Sequence, residues 1–124
     1  MTETEEYLRL DEAFFSALER GDSATIAQCY GQQMRIWNNA QQVEMTGAEH
    51  IAGLEAFFFP RFLNRVYENK RTDLLSDGFV RQQVLSATFD GEPVRIPMCL
   101  ICRVTEGRIS RIDEYLTLSA IPQT

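Results

Sequence analysis

A chain of 124 residues, 44% hydrophobic and 24% charged, has the size and composition of one globular domain with a single core. Its formal net charge of −6, with no basic patch, argues against nucleic acid and anionic membranes as partners. No apolar run approaches the ~20 residues of a membrane span.

The N-terminus, MTETEEYL, is acidic and so does not read as a signal peptide. Three cysteines, an odd and small number, suit a reducing cytoplasm. Residues 5–20 place Leu8, Phe14, Phe15 and Leu18 among Glu and Arg, an amphipathic helix that Gly21 ends. Asp22 is a good cap for a second, short helix containing Cys29. The Arg20-Gly21-Asp22 tripeptide is explained by this corner and carries no adhesive meaning. Met34 to Asn39 alternates as a first strand, and a short second strand is expected near Val43 to Met45. Thr46-Gly47-Ala48-Glu49 fits a capping box opening a third helix through Ile51, Leu54, Phe57 and Phe58, which Pro60 should end or kink. Arg61, Arg65 and Arg71 read as a solvated edge.

Residues 65–75 and 79–89 read as two long strands around Ser76-Asp77-Gly78, and two further strands meet at Asp90-Gly91 and Glu106-Gly107. Glycine at these turns supplies the positive φ that tight hairpins need. Ile96, Met98, Leu100, Cys102 and Val104 share one face, as do Ser110, Ile112, Glu114 and Leu116. If Ile112 and Leu116 face the core, Glu114 faces it with them. Cys99 and Cys102, three residues apart on a strand, lie on opposite faces and roughly 10 Å apart, so the CxxC is expected to form neither a disulfide nor a metal site.

The order of elements predicts an α+β architecture: one domain over 1–124, three N-terminal helices packed in the concavity of a curved antiparallel sheet. Such a cone is a natural small-molecule pocket. Asn38, on the face of Met34 and Ile36, points into it. Arg81 and Gln83 share a face with Leu85. Phe57 and Phe58 read as core and pocket wall. His50, in the first turn of the third helix, reads as a surface residue; Tyr7 and Tyr30 are left open. No phosphate loop, dinucleotide fingerprint or metal-ligand cluster is visible, so no cofactor is expected.

Taken together, FFSALERGDSATIAQCY, MRIWNN, TGAEHIAGLEAFF and DGEPVRIP with CRVTEGRISRIDEYL resemble the nuclear transport factor 2-like superfamily, in its SnoaL-like or ketosteroid-isomerase-like branch, over about residues 7–118. The resemblance implies a cystatin-like, cone-shaped α+β barrel and a homodimer paired through the outer sheet face, where Trp37, Ile101 and Tyr115 fall. Activities in that superfamily scatter, and fold does not give function. The positions matching the proton-transfer residues of ketosteroid isomerases are Phe14, Asn38 and Leu100, so that activity is not expected. The paired histidines of scytalone-dehydratase-like members are missing, because the chain has only His50. A limonene-epoxide-hydrolase-like pattern is matched in part, by Asn38, Arg81 and Glu114, with Ile36 and Gln83 in place of its tyrosine and one aspartate.

Three readings follow. The first is a binder of a small apolar or amphipathic molecule, lined by Phe14, Ile36, Gln83, Met98, Leu100, Ile112, Phe57 and Phe58. The second is a cofactor-independent hydrolase, lyase or isomerase with Glu114 as base, oriented by Arg81, and Asn38 placing a water or carbonyl. The third is a non-catalytic protein-interaction module whose cone is filled by its own side chains. Glu114 paired with Arg81 across the sheet would be the structural alternative to a pocket base.

Overall fold

Residues 1–120 are described by the structure, a computed structural model. Helix α1 (Glu3–Arg20) begins where the Thr2 hydroxyl accepts from the Glu5 N–H, and Glu3, Glu5 and Glu6 sit at the positive end of its dipole. Gly21, in the left-handed region, ends it; Asp22 then caps α2 (Ser23–Cys29) by accepting from the Thr25 N–H. The buried stripe of α1 is Tyr7, Leu10, Asp11, Phe14, Phe15, Ala17 and Leu18. Leu8, expected inside, is 46% exposed. Positions 7, 11, 14 and 18 repeat at three and four residues, so the helix turns Asp11 inward and Leu8 out.

Strand β1 (Tyr30–Asn38) starts four residues before the predicted Met34 and is followed by β2 (Glu44–Thr46). Both halves of the predicted capping box form at the start of α3 (Gly47–Gly53). That helix continues through a π-helical turn (Leu54–Phe58) into α4 (Phe59–Arg61). Pro60 lies in the first turn of α4, where its missing N–H is least costly, and the widened turn falls just before it.

Four long strands follow: β3 (Phe62–Leu75), β4 (Gly78–Phe89), β5 (Glu92–Thr105) and β6 (Arg108–Leu116). Sheet order is β2-β1-β6-β5-β4-β3. The hairpin strands are antiparallel, with Asp90, Gly91, Glu106 and Gly107 all at positive φ in the two tight turns. The β1–β6 pair is parallel, so the sheet is mixed rather than wholly antiparallel, and it remains open. No hairpin joins these two strands, and nothing local imposes antiparallel pairing on them. Register shifts in β3 (Leu63/Val66 and Glu68/Arg71) and in β5 (Arg103/Val104) increase the local twist and curl the sheet into a cone around the helices. The α+β cone is therefore formed.

Three details depart from the sequence reading or extend it. Arg65 is no solvated edge: its guanidinium donates to the carbonyls of Leu18, Phe59 and Phe62, tying α1 and α4 to β3. Cys102 is buried and Cys99 half-buried, on opposite faces, and all three cysteines are free. Of the tail, Ser119 and Ala120 belong to a short 3-10 turn (Leu118–Ala120), with Ala120 against the core; residues 121–124 lie outside the described part. Among the described residues no helix is long and apolar enough to cross a membrane.

Candidate functional site

Strand β6 presents Glu114 inward because Ile112 and Leu116 on the same face are drawn to the core. Its Cα partners are Leu100 on β5 and Asn38 on β1. Around it lies a cavity of about 400 Å³. Most of the lining is apolar: Phe14 and Leu18 from α1, Ile36 from β1, Leu54, Phe57 and Phe58 from the π-helical turn, and Leu85, Ile96, Met98 and Leu100 from the sheet. The few polar side chains facing it include Asn38, His50, Tyr67 and Glu114. A cone filled by its own side chains, the third sequence reading, is not what forms.

Among the described residues no side chain or backbone group hydrogen-bonds to the Glu114 carboxylate, and no cation lies within ion-pair distance of it. It is half-buried, and the area it retains opens into the cavity. Desolvation therefore acts unopposed, raising its pKa from 4.5 to about 7.

The expected Arg81–Glu114 contact does not form. Arg81 and Glu114 oppose Leu100 from either side, so two strand spacings, roughly 10 Å, separate them. Arg81 turns to α1, where its Nη1 donates to Asp11 Oδ1 at 3.0 Å and its guanidinium lies over the Phe15 ring. Its Nε donates to Gln83 Oε1 at 2.8 Å, and the Thr72 hydroxyl donates to Asp11 Oδ2 at 2.7 Å. This network is buried and satisfied, and it does not line the cavity. Arg81, Gln83 and Ile112, all named from the sequence, thus sit in the core behind the cavity wall, while Phe14, Ile36, Asn38, Phe57, Phe58, Met98, Leu100 and Glu114 line it. Asn38 faces the cavity, but its Oδ1 accepts from the Gln41 N–H at 2.8 Å, which holds the bend after β1.

His50 corrects the sequence reading in the other direction. It is half-buried and lines the cavity, with its Nδ1 2.7 Å from the Tyr30 hydroxyl. Burial lowers its pKa from 6.5 to about 4, so the ring is neutral at ordinary pH. The Tyr67 phenol also lines the cavity, and burial, then the Glu114 charge, push its pKa up. It keeps its proton and can only be a donor or a neutral acceptor. Tyr30 lies beneath His50 rather than in the lining, and Tyr7 is remote, with its hydroxyl near Glu3 and the Ser76 carbonyl. Asp11 and Tyr67 were missed from sequence. Asp11 was legible, because it stands four residues from Tyr7 and from Phe15 on the buried stripe. Tyr67 was not, since two bulges in β3 break the alternation that would have placed it.

Among the described residues no three His, Cys, Asp or Glu side chains gather as a metal site.

The SnoaL-like domain profile matches residues 12–112. The chain belongs to the SnoaL-like domain family. No curated protein matches it in sequence. Many solved structures share the fold. A protein of ketosteroid isomerase-like fold from Catenulispora acidiphila, solved in complex with trimethylamine, is 19% identical, covering 90% of this chain and 88% of that one, with a TM-score of 0.79. An LEH-like epoxide hydrolase from M. tuberculosis is 20% identical over 94% and 86%, with a TM-score of 0.77. An NTF2-like protein from Burkholderia xenovorans is 14% identical over 94% and 92%, with a TM-score of 0.76. At these identities the likeness is one of fold.

Proposed function

We propose that this SnoaL-like protein binds a small, largely apolar molecule in the cone and that Glu114 accepts a proton from it. One observation carries the reading: a carboxylate with no protein partner among the described residues stands in an apolar cavity. Such a group costs stability, and a leucine would serve simple apolar binding better. A carboxyl titrating near neutral pH is matched to general-base work, because an appreciable fraction is ionised while its basicity is raised. The reaction class is removal of a proton next to a carbonyl or comparable activating group. The C–H bond breaks, its electron pair passes to the activating oxygen, and the proton goes to Glu114, as an isomerisation, elimination or ring closure would begin. An epoxide-hydrolase network of the kind matched from sequence is disfavoured, because Arg81 is committed to Asp11 and Gln83.

Binding without turnover is the second reading. It is supported by the lack, among the described residues, of a cation paired with Glu114 or a carboxyl hydrogen-bonded to it. The test uses 2-tetralone, a bicyclic enolisable ketone small enough for the cavity, in deuterated buffer. The protein is expected to accelerate exchange of the α-protons at least about 100-fold over buffer, and Glu114→Gln to abolish this while still binding the hydrocarbon tetralin. Exchange at the wild-type rate in Glu114→Gln refutes Glu114 as the base. Binding of the ketone with no acceleration leaves the carrier reading standing.

The outer sheet face supports self-association as a homodimer, with Trp37 and Tyr115 edge to face at 5.5 Å among half-buried Val80, Cys99 and Ile101. Three free thiols suit a reducing compartment such as the cytoplasm.

A further inference from the structure

His50 is the chain's one histidine, and the proposed reaction at Glu114 does not use it. Three observations place it. The capping box of Thr46 and Glu49 fixes the first turn of α3, on which His50 stands. The Tyr30 ring packs against that same turn: a Cβ on Gly47 would lie 3.0 Å from its Cδ2. The Tyr30 hydroxyl then meets His50 Nδ1 at 2.7 Å, at the edge of the cavity.

This contact selects a tautomer. Tyr30 is buried, and among the described residues its hydroxyl has one hydrogen-bond partner, His50 Nδ1. If the imidazole donated from Nδ1, the phenolic proton would be left without an acceptor, which buried hydroxyls avoid. With the hydroxyl donating instead, Nδ1 is the acceptor and the neutral ring carries its proton on Nε2. Among the described residues Nε2 has no partner, and it is not sealed in the core. On a residue that lines the cavity, this N–H is the donor the ring has left to offer. Burial keeps the ring uncharged down to about pH 4, so it offers a hydrogen bond rather than a mobile proton.

We infer that His50, held by Tyr30, is the fixed neutral hydrogen-bond donor of the cavity, so that the ligand carries a carbonyl oxygen on an otherwise apolar frame. The inference rests on the reading of the cavity and Glu114 above and narrows it. Glu114 receives the proton, and His50 holds the oxygen that receives the electron pair.

The test pairs 2-tetralone with tetralin, which have nearly the same shape and differ by the carbonyl. The wild type is expected to prefer the ketone by about 5–10-fold in Kd, the range a net neutral hydrogen bond supports. His50→Phe should bring the ratio close to one. His50→Gln, whose amide reaches the place of Nε2, should restore much of it. Two results overturn the inference alone: equal wild-type affinity for both probes, or a ketone preference lost in Tyr67→Phe and kept in His50→Phe. Failure of the wild type to bind either probe overturns the cavity reading, and this inference with it. A ligand-free measurement guards against variants that fold poorly. The nitrogen-15 shifts of the single imidazole should show Nδ1 unprotonated and Nε2 protonated at pH 7, and Tyr30→Phe should mix the two tautomers. A ring protonated on Nδ1 in the wild type overturns the inference.

Discussion

Glu114 and Asp11 are both carboxylates turned toward the interior, and their surroundings assign them opposite roles. Asp11 is buried with both oxygens engaged, by Arg81 and Thr72. Removing it leaves the guanidinium buried without an anion, so Asp11→Ala should cost about 3–5 kcal/mol in urea unfolding. Glu114 has no such partners among the described residues, and desolvation raises its pKa from 4.5 to about 7. A carboxyl that binds its proton more tightly when folded loses stability as pH rises from the unfolded to the folded value. Its ionisation should therefore destabilise the protein progressively over about pH 4.5 to 7, by at most about 3 kcal/mol. His50 has the opposite sense. Lowered from 6.5 to about 4, it destabilises the fold as pH falls through that window. The two slopes oppose each other between about pH 4.5 and 6.5, and the variants separate them. The Tm difference between Glu114→Gln and wild type should grow in favour of the variant from pH 4.5 to 7. His50→Gln should gain on the wild type as pH falls below 6.5. A Glu114→Gln difference that stays flat across this range would show that the carboxyl is solvated.

At the level of elements, what the chain disclosed depended on how far each signal was local. The helix starts at Thr46 and Asp22, the stop at Gly21 and the hairpin turns were readable because caps and turns are set by three or four neighbouring residues. Alternation along β6 put Glu114 in the cavity for the same reason. What crossed elements was hidden. The parallel β1–β6 pair, Asp11 as the partner of Arg81, and the Tyr30–His50 contact each join residues distant in sequence. So does the approach of β4 to β5 at Gly78. A Cβ there would lie 2.0 Å from the Cys102 carbonyl oxygen, which is backbone and cannot move aside. Gly78→Ala should therefore cost about 3 kcal/mol or more by forcing the strands apart. Gly91→Ala is the control. Its φ is +81°, but nothing lies within 4 Å of the added methyl, so the cost should be the conformational one alone, about 1 kcal/mol. Equal losses in the two variants, measured by chemical denaturation, would contradict the close approach at Gly78.

On the scale of the molecule, the helices cover one face of the sheet and leave the other bare. On that bare face Val80 opposes Ile101, Ile101 opposes Asp113, and Asp113 opposes Trp37, while Cys99 opposes the exposed Tyr115. The charged residues around this apolar strip are largely paired within the chain: Arg103 with Asp77, Arg111 with Glu44 and Asp113, and Arg95 with Glu68. The strip is apolar apart from Asp113, and because Asp113 and the charges at the rim are neutralised within the chain, two copies can face each other as a two-fold dimer requires. Each copy nevertheless carries a net charge of −6, so approach of two copies is opposed at long range. Salt screens that repulsion within about 10 Å at 0.1 M, while burial of the apolar strip is not weakened. Dimerisation should thus tighten as salt rises, the reverse of an interface held by intermolecular ion pairs. Sedimentation equilibrium is expected to give twice the 14.2 kDa chain mass, with a dissociation constant that falls between 20 mM and 300 mM salt. Trp37→Glu, which adds a charge at the centre of the strip, should give a folded monomer. A wild type monomeric at every salt concentration would leave the bare face to some other partner. A dimer unaffected by Trp37→Glu would place the interface elsewhere.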